Sequence, residues 1–144
     1  MKKHMSKMIF LTLSIIISVG FQSCDNKIHF EKSSVVPAAE GWIEINKDKN
    51  DNYKIELKVK RLAEPQRLTP PKSLYIVWVE TEQNEAKNVG MLKTAGGVIS
   101  KELTSTLNTI TPYKPVSIFI TAEDSANITN PGSNVVLKTS TIEK

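Results

Sequence analysis

Cysteine and histidine are almost missing from this 144-residue chain, with one of the first and two of the second. A lone thiol closes no disulfide, and a zinc site needs several nitrogen or sulfur ligands. His4 sits in the first few residues, leaving His29 alone for the remainder, so neither a histidine triad nor a Cys–His pair can be assembled. No glycine-rich phosphate loop is present either: Gly96-Gly97 lacks both the lysine and the spacing. No cofactor is expected, and the shortages point away from catalysis. Long apolar runs are also lacking. Met8–Gly20 runs 13 residues without a charge, where a membrane-spanning helix takes roughly 20. Surplus charge is largely an illusion. The formal +4 includes Lys2, Lys3 and Lys7, beyond which sixteen basic residues face fifteen acidic ones, a net +1. A balance that even argues for no nucleic-acid partner.

What the chain does have begins at its start: Lys2, Lys3 and Lys7, the apolar run, then Phe21-Gln22-Ser23-Cys24. A positive region, a short hydrophobic stretch and a small residue before cysteine make a targeting segment rather than part of a fold. The order resembles the signal peptide and lipobox of bacterial lipoproteins. That family usually places Leu three positions before the cysteine and a small residue immediately before it; Ser23 fits, while Phe21 and Gln22 depart. The resemblance implies cleavage before Cys24 and lipid on its thiol. Two acyl chains, at about 0.8 kcal/mol per buried CH2, already hold a protein on a bilayer. The expected partner is therefore a membrane reached through a lipid anchor, with the outer membrane as destination. Ordinary secretion, with cleavage near Ser23 and an incidental Cys24, is the other reading.

The organisation expected is a signal peptide over 1–23, a lipidated cysteine and flexible tether over 24–39, and one folded domain over 40–144. Asp25–Ala39 is mixed in polarity and without helical period. As a tether it would reach up to about 50 Å. A strand through Ser34-Val35-Val36 is the alternative.

The folded part reads as seven strands. Tyr53–Lys60 (YKIELKVK) alternates cleanly, with Tyr53, Ile55, Leu57 and Val59 on one face and Lys54, Glu56, Lys58 and Lys60 on the other. Gly41–Asn46 (GWIEIN) alternates with it, across the turn-rich 47–52, as a hairpin. Pro65, Pro70 and Pro71 exclude a helix or central strand over Arg61–Ser73. Leu62 and Leu68 are expected to tuck under that passage. Leu74–Val79 (LYIVWV) is continuously apolar, as a strand buried on both faces would be, with Trp78 at the centre of the core. Asn88–Lys93, part of Val98–Leu107, Val116–Thr121 and Asn134–Thr139 complete the set, the last two joined through a turn at Asn130-Pro131-Gly132-Ser133. Seven strands with one long Pro-rich crossover predict an all-β, immunoglobulin-like sandwich; a small barrel is the competitor.

Few residues are left to carry chemistry. Glu80 and Glu82 would share a face about 7 Å apart at strand spacing, within the roughly 5–9 Å that glycoside hydrolysis asks of two carboxyls. A solvated strand end is the plainer reading. Asp48, Asn50 and Asn52 imitate the opening of a calcium loop, yet Tyr53 stands where glycine is needed and Val59 where the bidentate Glu is needed. A hairpin turn is expected there. Asn127-Ile128-Thr129 fits a glycosylation sequon that a bacterial lipoprotein would leave idle. Of the aromatic residues Trp42, Tyr53, Tyr75, Trp78, Tyr113 and Phe119, alternation buries most; Trp42 and Tyr113 are the two candidates for ligand contact at the surface.

Leu74–Lys93 followed by Pro115–Leu137 is similar to the extracytoplasmic domain of anti-sigma-K factors, through Trp78, Gly90, Glu123, Pro131 and Gly132. The resemblance covers about half of the chain beyond Cys24 and implies a β-sandwich outside the cytoplasm. It does not bring the regulatory activity, which needs a cytoplasmic helical domain and a membrane span. The reading that results is a non-enzymatic protein with a binding or structural role in the cell envelope, its protein or glycan partner unidentified. An envelope-stress sensing module and a small carbohydrate-active hydrolase using Glu80 and Glu82 are the alternatives.

Overall fold

The computed structural model describes residues 26–95 and 103–143. Among them lie nine strands and no α-helix: β1 (Ile28–His29), β2 (Glu40–Lys47), β3 (Tyr53–Lys60), β4 (Leu74–Glu80), β5 (Ala86–Met91), β6 (Lys93–Ala95), β7 (Thr104–Thr111), β8 (Ser117–Glu123) and β9 (Val135–Lys138). They form two antiparallel sheets, a five-stranded one in the order β1-β2-β3-β7-β6 and a four-stranded one in the order β5-β4-β8-β9.

The alternation in β3 decides how the first sheet faces. Ile55, Leu57 and Val59 are buried, while β2 contributes Ile43 from the same side. The second sheet meets them with Tyr75, Val77 and Val79 of β4 and Ile118, Ile120 and Ala122 of β8, and these residues share one core. A fully buried aliphatic side chain contributes about 1.5–3 kcal/mol, so this interior is where the fold's stability lies. Leu62 is buried in the core, with Leu68 packed against it, as the crossover composition predicts.

Trp78 is completely buried but not in that core. β4 has apolar residues on both faces, and Ile76 and Trp78 point away from the five-stranded sheet to stack on Phe119 (ring centroids 6.3 Å apart). Ile128, from the loop between β8 and β9, packs over this second cluster, and the indole N–H donates to Thr121 Oγ1 at 2.8 Å. The turn expected at 130–133 is thus the closing part of a longer loop, fastened where the Gly132 N–H donates to Glu123 Oε1 at 2.7 Å.

Three further differences from the sequence reading have physical causes. First, residues 28–39 are no tether. β1 pairs with β2, Phe30 bridges to Thr139, the Glu31 N–H donates to the Lys138 carbonyl, and the buried Ser33 hydroxyl donates to the Val136 carbonyl at 2.6 Å. Val36 and Ala39 join the core. The segment works as a strap from the edge of one sheet to the edge of the other. The extra strand lies at Ile28–His29 and not at Ser34-Val35-Val36, where Ser33 Oγ accepts the Val35 and Val36 N–H groups in a local turn.

Second, the stretch predicted as one strand at Asn88–Lys93 is two. β5 pairs with β4, Leu92 donates its N–H to Tyr75, and the chain crosses to the other sheet as β6. The crossing follows a bulge at Val77/Trp78, beside which Gly90 adopts φ 138°. A Cβ at Gly90 would be strained at that φ and would also lie a tight 3.1 Å from Leu107 Cδ1 across the interior, which favours glycine there. Third, the strand expected within 98–107 runs over Thr104–Thr111; residues 98–102 fall outside the described set.

The Pro-rich crossover is tied to β4 by Tyr75, whose hydroxyl donates to the Ala63 carbonyl at 2.8 Å. Burial pushes this phenol from about 10 to about 12. The unfolded chain therefore releases the proton first, and stability falls as pH rises from 10 through about 12. Tyr75→Phe is expected to cost about 1 kcal/mol in denaturant unfolding at pH 7 and to flatten this alkaline decline, which a pair of unfolding series at pH 8 and pH 11 measures.

Candidate functional site

Trp42 lies near the start of β2, while Glu80, Glu82, Tyr113 and the 48–52 turn lie at one end of the domain, where β2, β4 and β7 finish. Two of the connections there are built alike. In 48–52 the Asp48 N–H donates to the Asn52 carbonyl and Asp51 is left-handed (φ 62°); in 81–85 the Thr81 N–H donates to the Glu85 carbonyl and Asn84 is left-handed (φ 58°). Both are three-residue hairpin loops with a left-handed last position, which Asp and Asn tolerate. The calcium-like triplet is consumed by its turn. Asp48 Oδ1 accepts the Asn50 and Asn52 N–H groups, and Oδ2 accepts the Asn52 side-chain amide at 3.1 Å. Chiefly through that amide, the Asp48 carboxyl is held below its ordinary range. Among the described residues no group of three or more His, Cys, Asp or Glu is arranged to hold a metal ion.

Glu80 and Glu82 meet different partners. β4 ends at Glu80, so strand alternation does not carry on to Glu82, which sits in the turn. Glu80 accepts a short hydrogen bond from the Ser117 hydroxyl and an ion pair from Lys138 Nζ at 3.0 Å; Glu82 pairs with Lys114 Nζ at 2.8 Å. Both carboxyls are thereby held below their ordinary range, Glu80 first by Ser117 and then by Lys138, Glu82 by Lys114. A glycosidase general acid needs the opposite shift, since it must keep its proton near neutral pH. As placed, Glu80 at the strand end and Glu82 in the turn are each salt-bridged to a lysine.

Tyr113 is the more informative residue. It is 42% exposed in the connection from β7 to β8 and lines an open cleft of about 740 Å³. Asn84–Asn88 and Ile128–Pro131 line the rest of it. Lys87 Nζ lies 5.3 Å from the Tyr113 ring and 2.7 Å from Glu85 Oε2. Asn88 fixes the wall, donating its side-chain amide to the Ala126 and Ile128 carbonyls at 3.1 Å each while accepting the Gly90 N–H. The cleft offers one aromatic face, amide groups and a paired cation, a set suited to a polar ligand with an apolar side. On the far face of the five-stranded sheet, Trp42 is half-buried under Lys27, whose Nζ stands 5.1 Å from the ring. Trp42 and Tyr113 therefore do not make one platform. Cys24 lies outside the described residues.

No protein-family model, characterised protein or solved structure matches the chain. No helix among the described residues is long and apolar enough to cross a membrane.

Ser117, Lys138, Lys114, Lys87 and Asn88 were not singled out in the sequence, and no local pattern marks them. Their roles come from residues 32 to 58 positions away or from a neighbouring loop. Because the folded Glu80 carboxyl titrates below its unfolded value, its contribution is present above about pH 4.5 and is lost as pH falls through the folded value. Glu80→Gln is expected to lower stability at pH 7 and to make it fall less steeply between pH 5 and pH 3, as thermal unfolding across that range would register.

Proposed function

We propose that this chain is a lipid-anchored lipoprotein of the bacterial cell envelope whose folded part binds a partner rather than catalysing a reaction. The sequence Phe21-Gln22-Ser23-Cys24 behind a positive, apolar leader carries the first half of that reading. The second half is supported by lysine-paired Glu80 and Glu82, lowered carboxyls where a hydrolase needs a raised one, and by the cleft beside Tyr113. A glycan or a polar peptide segment suits that cleft's aromatic and amide groups.

We infer further that the two sheets form an immunoglobulin-like sandwich. The order β2-β3-β7-β6 opposite β4-β8-β9 reproduces the adjacency of strands A, B, E and D opposite C, F and G. In this arrangement β5 extends the second sheet beside C, and β1 is added at the edge of the first. An envelope-stress sensing role remains tied to the resemblance through Trp78, Gly90, Glu123, Pro131 and Gly132. Glu123 and Gly132 are hydrogen-bonded partners that close the loop over Trp78.

The reading is tested on the full chain expressed in a bacterial host. Palmitate is expected to incorporate into the parent and not into Cys24→Ala, and the variant is expected to leave the membrane fraction. Equal incorporation, or identical fractionation of both, refutes it. For the binding half, Tyr113→Ala is expected to weaken co-sedimentation with isolated cell-wall sacculi while leaving the unfolding temperature within a degree or so, since the residue is exposed.

A further inference from the structure

We propose that the end of the domain carrying the two hairpin turns faces a lipid bilayer at close range, with Ile110 meeting the headgroup layer. This deepens the lipoprotein reading and rests on lipid being attached at Cys24.

Strand pairing begins at Ile28, opposite Ile43. Only three residues separate Ile28 from Cys24, so the lipidated residue lies within about 14 Å of Ile28 however those three are arranged. The long tether that would let the domain stand off the membrane is instead the strap described above, bound to both sheets.

Direction follows from register. β1 is antiparallel to β2, with Ile28 opposite Ile43 and His29 opposite Trp42. At Ile28 the backward direction of the chain is therefore that of β2 from Ile43 to Lys47, towards the 48–52 turn. Tyr53 of β3 pairs with Thr111 of β7, and Glu80 of β4 with Ser117 of β8. The 81–85 turn and the 112–116 connection thus lie at that same end, as does the C-terminal segment, where the Ile142 N–H donates to the Val116 carbonyl.

The surface presented there suits the interface. Five large apolar residues are exposed among those described, and the most exposed, Ile110 at 62%, is at this end together with Tyr113. The stems of the lysines around it reach past apolar surface to water. Three of the lysines there are paired within the protein: Lys47 with Asp51, Lys87 with Glu85, Lys114 with Glu82. Contact there is driven chiefly by proximity and by apolar side chains.

The test uses the lipidated full-length chain in phosphatidylcholine vesicles that carry a headgroup nitroxide. Cys24, the one native cysteine, is consumed by lipid, so a fluorophore can be placed on a single new thiol at Asn50→Cys, Gln83→Cys or, at the opposite end, Gln66→Cys. Quenching several-fold stronger at 50 and 83 than at 66 is expected. Inserting about fifteen Gly-Ser residues after Asn26, which adds roughly 20 Å of reach, is expected to erase most of that difference. Equal quenching at the two ends, or a difference untouched by the insertion, overturns the orientation. Flotation of the same samples separates the two failures: a chain that does not float with vesicles overturns the lipid anchor and the orientation together, whereas one that floats but is quenched equally overturns the orientation alone.

Discussion

The register of β3 is the constraint on which the rest of this protein depends. It is paired along its whole length on both sides, to β2 and to β7, and it divides aliphatic from charged side chains without an exception over Ile55–Lys60. A slip by one residue would carry Lys54, Glu56, Lys58 and Lys60 into the interior and bring Ile55, Leu57 and Val59 out to water. Burying even one of those charges unpaired costs more than the fold's usual margin allows. The register also fixes Gly41, where a Cβ would lie 2.7 Å from the Lys58 carbonyl and 3.0 Å from the Phe30 ring. Absence of a side chain there lets the N-terminal strap cross against the sheet.

Two closures then finish what β3 begins. On one side the strap joins the edge of β2 to the edge of β9; on the other, the chain itself passes from β5 to β6 and so belongs to both sheets. Exposed strand edges invite pairing with other chains, and these closures cover part of each edge, β1 pairing with two residues of β2 and β6 with three of β7. The strap's hydrogen bonds reach residues more than a hundred positions away, which makes the N-terminal segment the last part of the described fold whose partners come within reach as the chain is made.

How much of this was legible from sequence depends on the distance over which each feature is encoded. β3, β4 and β8 carry their pattern within eight residues, and their extents agree closely with the alternation and apolar runs. The side on which Trp78 is buried was not readable, because LYIVWV is apolar on both faces and its outer cover is an otherwise polar loop contributing Ile128. The strap was unreadable for a related reason. Ile28, Phe30, Val36 and Ala39 are scattered singly, two residues of strand have no period, and Ser33 looks like a linker serine until Val136 arrives. Glu80 was visible as a charged strand end, but its hold by Ser117 and Lys138 follows from pairing with β8 and from β9 lying beside it. The cleft at Tyr113 draws on three separate segments, so composition near any one of them does not announce it.

The chain's two tryptophans end in unlike surroundings, one sealed beneath the 124–134 loop and the other half-open beside the strap. Their emission should therefore separate into a blue component that follows loop docking and a redder one, accessible to aqueous quenchers, that follows the N-terminal segment. Each closure of the molecule thus comes with its own native chromophore, and partial opening at either place can be watched without attaching a dye.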